Sequence, residues 1–422
     1  MNHFKSELEL LQKIWSDEPS ELSVLRQKAF NRFSELGFPT KKWEDWQFTD
    51  FSPFEKTEFR MTTPEDVPSL DTVTPSPIGD AVYSILVLNG HYQPQLSDVP
   101  DGVKIRTLLD VFLKDSSLGK SLTDENPFSA LNTSLMNSGL AIDIGDRVEL
   151  DKPIHYRFIT TDVKEPAMNH PRLLIRLGKH SSASIIEHYQ GVHSKLYWNN
   201  CVTLTELGKN SSLTHVRIQK DTGYHTCNME YHLQEDATMN SLHFNRDTTL
   251  YRGDSLVRFH GENANANLNG LSLLKNHEHS DSRIVVDHSQ PNCTSKQFFK
   301  TILNDNSGGV FNGRVIVREN SQKTDSSQSN KNLLLSKSAS MHSNPQLEIN
   351  ADDVRCSHGS TTGQLNEDAL YYLRSRGIDI STARLLMVEG FGKEVLSHIN
   401  HESLAKYLNE NLVTWLEGLS HG

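Results

Sequence analysis

The sequence of 422 residues lacks several features that identify common classes of protein. Its four cysteines are too few and too scattered for a disulfide framework. It has no excess of basic residues, because 53 Asp and Glu outnumber 42 Lys and Arg and give a net charge of −11, so we expect no nucleic-acid partner. No apolar stretch is long enough to span a bilayer, and the charged N-terminus is not a secretory signal. We therefore expect a cytosolic protein that does not associate with membranes.

Motifs of the common enzyme classes are missing as well. The chain has no G-x-x-x-x-G-K-[ST] phosphate loop, no G-x-G-x-x-G after a strand, no H-E-x-x-H and no C-x-x-C. Each absence alone is a weak argument. Together they indicate that the chain is not an autonomous enzyme.

Residues 1–80 predict a helical region followed by a linker. An apolar stripe at helical spacing is formed by Leu22, Leu25, Ala29, Phe33 and Leu36. The aromatic segment Trp43–Thr49 is interpreted as a loop that packs back on the helices, and residues 52–80 as an irregular connection. Residues 81–140 predict a small mixed αβ segment.

Residues 141–363 carry a repeat of two short strands and a polar turn. Its first turns begin at Gly178, Gly208, Gln234, Gly261 and Asp287. They lie 30, 26, 27 and 26 residues apart. A regular period of this size indicates a solenoid, and a β-solenoid fits an apolar fraction of only 36%. The alternative is a β-sandwich with regular hairpins, but a sandwich does not require successive turns to resemble each other.

Residues 364–422 predict a C-terminal helical domain. Asn366 is the expected cap of a first helix that ends at Gly377, and a second helix is expected from Ser381 to about Gly390. The last segment carries an apolar stripe that begins at Leu404.

Two short clusters contain potential metal ligands. In an extended strand, Cys356 and His358 point to the same side, and a thiolate with an imidazole suits zinc, copper or iron. Two ligands do not complete a site, so another segment or chain must contribute. The alternative is a polar pair at the end of a solenoid rung. His277 and His279 could converge in the same way, although their surroundings resemble a solvated turn. Cys201 and Cys227 are expected to pack as small core residues.

Several long stretches then show that the segment 285–396 resembles the SufB/SufD family of iron–sulfur cluster assembly proteins. They are His288–Gln297 with Lys300, Val310–Val315, Gln328–Leu335, Pro345–Gly359, Tyr371–Ile378 and Gly390–Phe391. The segment Lys42–Thr49 is similar to the SufD branch, as are the length of the chain and the Cys356-Ser357-His358 sequence. Phe48 and Ser360 stand where tyrosine and alanine are more usual.

The resemblance implies a mainly β fold, a right-handed parallel β-helix flanked by N-terminal and C-terminal helical domains. It also implies a scaffold complex in which this chain pairs with a SufB-like paralogue through the β-helix and docks the SufC ATPase on its C-terminal helical domain. It leaves open whether the isolated chain forms a homodimer when SufB is missing.

The resemblance also assigns the site residues. His358 matches a SufD histidine implicated in the nascent cluster site, and Cys356 matches its neighbour. The expected cofactor is a nascent iron–sulfur cluster, or iron, shared with SufB, and the isolated chain can be free of both. One alternative is a structural β-solenoid subunit that contributes no cluster ligand. Another is a β-helix carbohydrate-active enzyme, which would need a convergent pair of carboxylates that the repeats do not show.

Overall fold

The computed structural model describes residues 2–16, 18–69, 75–79, 81–112, 126–161, 163, 166–191 and 196–419. In these residues the chain forms a parallel β-solenoid with helices at both ends, which confirms the predicted fold class. The α-helices are α1 (Asn2–Ile14), α2 (Ser20–Leu36), α3 (Ser52–Lys56), α4 (Leu108–Phe112), α5 (Pro127–Leu135), α6 (Glu367–Ser375), α7 (Ile380–Leu396) and α8 (Glu402–Glu417). None of the described helices is long and apolar enough to cross a membrane.

The strands form two sheets that face each other across the interior of the solenoid. Sheet A contains β1 (Arg60–Met61), β4 (Val103–Thr107), β5 (Ser138–Ile144), β7 (Ala167–Asn169), β8 (Pro171–Leu177), β10 (Tyr197–Leu207), β12 (Tyr224–Leu233), β14 (Leu250–Phe259), β16 (His279–His288), β18 (Gly308–Val317) and β20 (Ser340–Ile349). Sheet B contains β2 (Tyr83–Leu88), β3 (His91–Tyr92), β6 (Ile154–Thr160), β9 (Ser182–Gly191), β11 (Ser212–Lys220), β13 (Thr238–Arg246), β15 (Asn265–Leu274), β17 (Thr294–Leu303), β19 (Asp325–Leu334) and β21 (Arg355–Gly363).

From β8 onward the chain alternates between the sheets, and each strand pairs in parallel with the strand two places later. In β10 and β12, for example, Cys201 aligns with Cys227. Because side chains alternate along a strand, every second residue of each repeat points into one continuous core. That core includes Met229, Val257 and Val286, which are almost fully buried.

The polar turns between the strands stack on one another. Each turn that leads from sheet A to sheet B, from β8–β9 to β18–β19, contains one residue with a left-handed backbone, and its N–H donates to a carbonyl of the next turn of this kind. These residues are His180, Asn210, Asp236, Asn263, Asn292 and Lys323. Asn and Asp tolerate this backbone better than most residues, which explains why they recur in the turns. At Gly261 a Cβ atom would lie 2.0 Å from the backbone of Glu235 in the preceding turn. The repeated turns predicted from the sequence are thus explained by stacking.

The N-terminal region confirms one helix and changes the interpretation of one segment. The predicted apolar stripe lies on α2, which ends at Leu36 with Gly37 as its C-cap. The aromatic segment crosses sheet A, and its side chains do not pack on the helices alone. Trp46 lies against the Arg252 guanidinium, 3.9 Å from the ring centroid, and Phe48 stacks on His342 with the centroids 4.0 Å apart. Hydrogen bonds from Arg252 of β14 to the Asp45 carbonyl oxygen and from Thr49 to Asp281 of β16 also hold this segment.

The C-terminal helices pack on the outer face of sheet B. Asn366 caps α6 as predicted, through its side-chain oxygen and the N–H of Ala369. The second helix was predicted too short, because α7 continues past Gly390 to Leu396. A Cβ atom on the nearby Gly392 would lie 2.9 Å from Leu412 of α8, so glycine here permits close helix packing and does not end the helix.

Candidate metal-binding site at the open end of the solenoid

The solenoid ends in two strands with free edges. β20 is the last strand of sheet A and β21 is the last strand of sheet B, and no other strand of the described residues pairs with their outer edges. The interior of the solenoid is therefore open at this end. Side chains that point inward from β20 and β21 lie at its mouth.

Cys356 and His358 share the inward face of β21. Cys356 aligns with Ser326 and His358 aligns with Gln328 of β19, and both β19 residues are buried. Cys356 is half-buried and packs against the solenoid core, whereas His358 is exposed. Cys356 and His358 are more exposed than the aligned residues of β19 because no further strand of the described residues covers the mouth. The strand geometry expected from the spacing is thus present.

The local environment keeps the Cys356 thiol protonated. Burial, with a smaller contribution from the Asp325 carboxylate, raises the pKa of Cys356 above its ordinary value. Metal binding would displace this proton, because a thiolate and not a thiol binds the metal. The described residues contain no group of three or more His, Cys, Asp or Glu side chains able to hold a metal ion. A metal held by Cys356 and His358 would therefore need further ligands from outside the described residues.

The histidines of the other predicted cluster lie in different environments. His277 is exposed in the turn before β16. His279 is at the start of that strand, where its Nε2 lies 2.9 Å from Thr49 Oγ1. Burial lowers the pKa of His279. This arrangement favours a role in holding the N-terminal segment.

The sequence did not reveal a buried charged cluster in the middle of the solenoid. Glu187 accepts hydrogen bonds from Tyr189 and Thr203 at 2.7 and 3.0 Å, and its Oε2 lies 3.0 Å from His215 Nε2. Arg217 Nη1 donates to the sulfur of Cys227 at 3.1 Å. Although burial alone would raise it, Arg217 and His215 hold the pKa of Glu187 well below its usual range.

The two central cysteines are buried as predicted, Cys201 at 0% and Cys227 at 1% exposure. Burial raises the pKa of both thiols. Cys227, however, contacts a guanidinium as well as apolar side chains. Because side chains alternate between the two faces of a strand, the pattern in β9, β11 and β12 assigns Glu187, Arg217 and Cys227 to the inward face. The sequence would have predicted the buried charges only if polar residues had been expected at inward positions.

A separate apolar surface lies on the C-terminal helices. Tyr371 and Tyr372 of α6 are 75% and 58% exposed, and Ile380 and Leu386 of α7 are 41% and 47% exposed. Large exposed apolar groups in close succession are typical of protein–protein contacts.

Two sequence models of one family match the chain. The model described as "SUF system FeS cluster assembly, SufBD core domain" matches residues 158–391, and the model described as "SufBD protein N-terminal region" matches residues 1–156. Together they span the solenoid, both of its ends and the N-terminal helices.

Three similar curated proteins extend over nearly the whole chain. An iron–sulfur cluster assembly SufBD family protein of Synechocystis is 30% identical over 414 residues, which cover 93% of this chain and 91% of that protein. The iron–sulfur cluster assembly protein SufD of Escherichia coli is 29% identical, with 93% and 92% covered. Protein ABCI7, chloroplastic, of Arabidopsis thaliana is 28% identical, with 92% and 85% covered.

Proposed function

Because this chain belongs to the SufBD family of iron–sulfur cluster assembly proteins, we propose that it is the SufD-type subunit of a cytosolic scaffold complex. In this complex it pairs with a SufB-like paralogue and docks the SufC ATPase. The chain itself is not a catalyst, and its cargo is a nascent iron–sulfur cluster.

The open end of the solenoid is the observation that carries the proposal. Free edges of β20 and β21 present unpaired backbone N–H and C=O groups to any strand that approaches them. A paralogue with the same kind of solenoid end would satisfy both edges at once by strand addition. Such pairing would enclose Cys356 and His358 at the seam between the two subunits.

The chemistry of these two side chains supports a shared cluster site. Thiolate and imidazole are the groups by which proteins hold iron–sulfur clusters. This chain supplies one of each on adjacent inward positions of β21, and the SufB-like subunit would supply the remaining ligands.

The exposed apolar surface of α6 and α7 suits the ATPase. A connection runs from this surface to the solenoid, because Lys300 of β17 donates to the carbonyl oxygen of Phe391 in α7 at 2.8 Å and pairs with Glu394. The Lys300 ammonium also lies 4.0 Å from the centroid of the Phe391 ring. Movement of docked ATPase subunits would therefore reach sheet B two strands away from β21.

An anaerobic pull-down of the tagged chain from its native host tests the proposal. We expect an ATPase and a larger paralogue to be recovered together with iron and sulfide. Recovery of the chain alone and without metal would contradict it. A complete complex whose cluster content does not depend on His358 would support the alternative of a purely structural solenoid subunit.

A further inference from the structure

Two glutamines lie directly behind His358 in the interior of the solenoid. Gln297 of β17 and Gln328 of β19 occupy the positions that align with His358 in consecutive parallel strands. They are only 2% and 3% exposed. Neighbouring strands are about 4.8 Å apart, so the side chains of Gln328 and His358 are within reach of a direct hydrogen bond.

Among the described residues, neither the oxygen nor the nitrogen of Gln297 or Gln328 is paired. A buried side-chain amide without partners is unfavourable, and native proteins rarely retain one without a functional reason. Two in succession, both aligned with His358, indicate that something is missing from the isolated chain.

The two columns of aligned inward residues that lead to Cys356 and His358 change from apolar to polar between β15 and β17. On β15 the two inward columns hold Ala266 and Leu268, both fully buried. On the next strand toward the mouth they hold Ser295 and Gln297. The serine column satisfies itself, because the hydroxyl oxygens of Ser295 and Ser326 are 2.8 Å apart. The glutamine column does not, and the next residue in it toward the mouth is His358.

We propose that Gln328 is a positioning residue for His358, supported by Gln297. This inference rests on the proposed function, in which a partner covers the mouth and buries His358. The imidazole nitrogen that does not bind the cluster would then donate its proton to the amide oxygen of Gln328. That hydrogen bond fixes the tautomer and the ring orientation, as the outer partners of metal-binding histidines commonly do. In that arrangement the amide nitrogen of Gln328 would donate to the amide oxygen of Gln297, which aligns with it on β17, and so orient the accepting oxygen.

The test uses the complete complex, produced with its ATPase and larger paralogue. Gln328→Met keeps the length of the side chain and removes its hydrogen bonding, while Gln328→Glu keeps an acceptor oxygen. Gln346→Met is the matched control, because Gln346 lies on the last strand of sheet A on the face opposite the inward Leu347. His358→Ala is the reference for loss of the ligand. Iron and sulfide are counted per intact complex after anaerobic reconstitution with Fe²⁺ and sulfide.

A spectroscopic readout separates positioning from packing. The hyperfine coupling of a histidine nitrogen to the reduced cluster reports directly on the imidazole. We expect Gln328→Met to assemble normally, to lose cluster about tenfold and to weaken this coupling. Gln328→Glu should restore most of both, and Gln346→Met should change neither.

Three outcomes would overturn the inference. They are normal cluster content in Gln328→Met, an unchanged nitrogen coupling in that variant, and equal losses in Gln328→Met and Gln328→Glu, which would indicate packing alone. Each of these results is compared with the cluster content and the nitrogen coupling of the His358→Ala complex. If His358→Ala itself retains the cluster, the ligand role in the proposed function fails, which is a different result.

Discussion

Replacing Glu187 by glutamine should destabilise the solenoid strongly. Glu187 and His215 are 0% exposed, and the side chain of Arg217 is 1% exposed, so the guanidinium has almost no access to water. The variant removes the carboxylate charge but keeps the shape of the side chain. It leaves the buried Arg217 cation without its counter-charge, which costs about 3–5 kcal/mol.

The control is Glu206→Gln on the outer face of sheet A. The Glu206 carboxylate also pairs with an arginine, since its Oε2 lies 2.7 Å from Arg176 Nε, but the Glu206 side chain is 45% exposed. An exposed pair contributes at most about 1 kcal/mol. The free energy of unfolding of the isolated chain, measured in urea at neutral pH, distinguishes the two sites.

A third variant protects this test from an unspecific loss of folding. Replacing Glu187 by leucine and Arg217 by methionine together removes both buried charges, so the double variant should be more stable than Glu187→Gln. Equal and small effects of Glu187→Gln and Glu206→Gln, below about 1 kcal/mol, would refute the view that this ion pair is structurally critical.

Three further predictions concern other parts of the chain. Gln328→Leu should stabilise the isolated chain by about 1–3 kcal/mol because it removes unpaired buried amide atoms; an unchanged or lower melting temperature would show that they are satisfied. Replacing Tyr371 and Tyr372 by serine should abolish recovery of the ATPase and leave recovery of the larger paralogue intact, whereas continued binding of the ATPase would place its contact elsewhere. Since the folded-state pKa of Glu187 is depressed, its stabilisation is complete above its unfolded pKa of about 4.5 and disappears as the pH falls through the lower folded value. In Glu187→Gln, the free energy of unfolding should depend less on pH across this range than it does in the unchanged chain.

The repeat could be predicted because its signals are local. Turn residues such as Asn210 and Asp236 adopt a left-handed backbone that few other residues tolerate, and glycine at 261 is required by the contact between turns. Helix caps such as Asn366 are equally local. Gly390 was misleading because α7 continues through it to Leu396, although a Cβ atom at Gly390 would meet no neighbour and close packing explains only Gly392.

The interior charges could not be predicted because they depend on strand register. Glu187 and Arg217 are 30 residues apart and meet only because β9 and β11 align them. The same holds for Gln297, Gln328 and His358. By contrast, the common face of Cys356 and His358 follows from their spacing within one strand.

The most direct measurement is the cluster content of the anaerobically purified complex carrying His358→Ala. The account predicts normal recovery of the paralogue and the ATPase, together with a large loss of iron and sulfide per complex. Normal recovery with full iron and sulfide would contradict the central claim that this chain supplies a ligand at the shared open end of the solenoid.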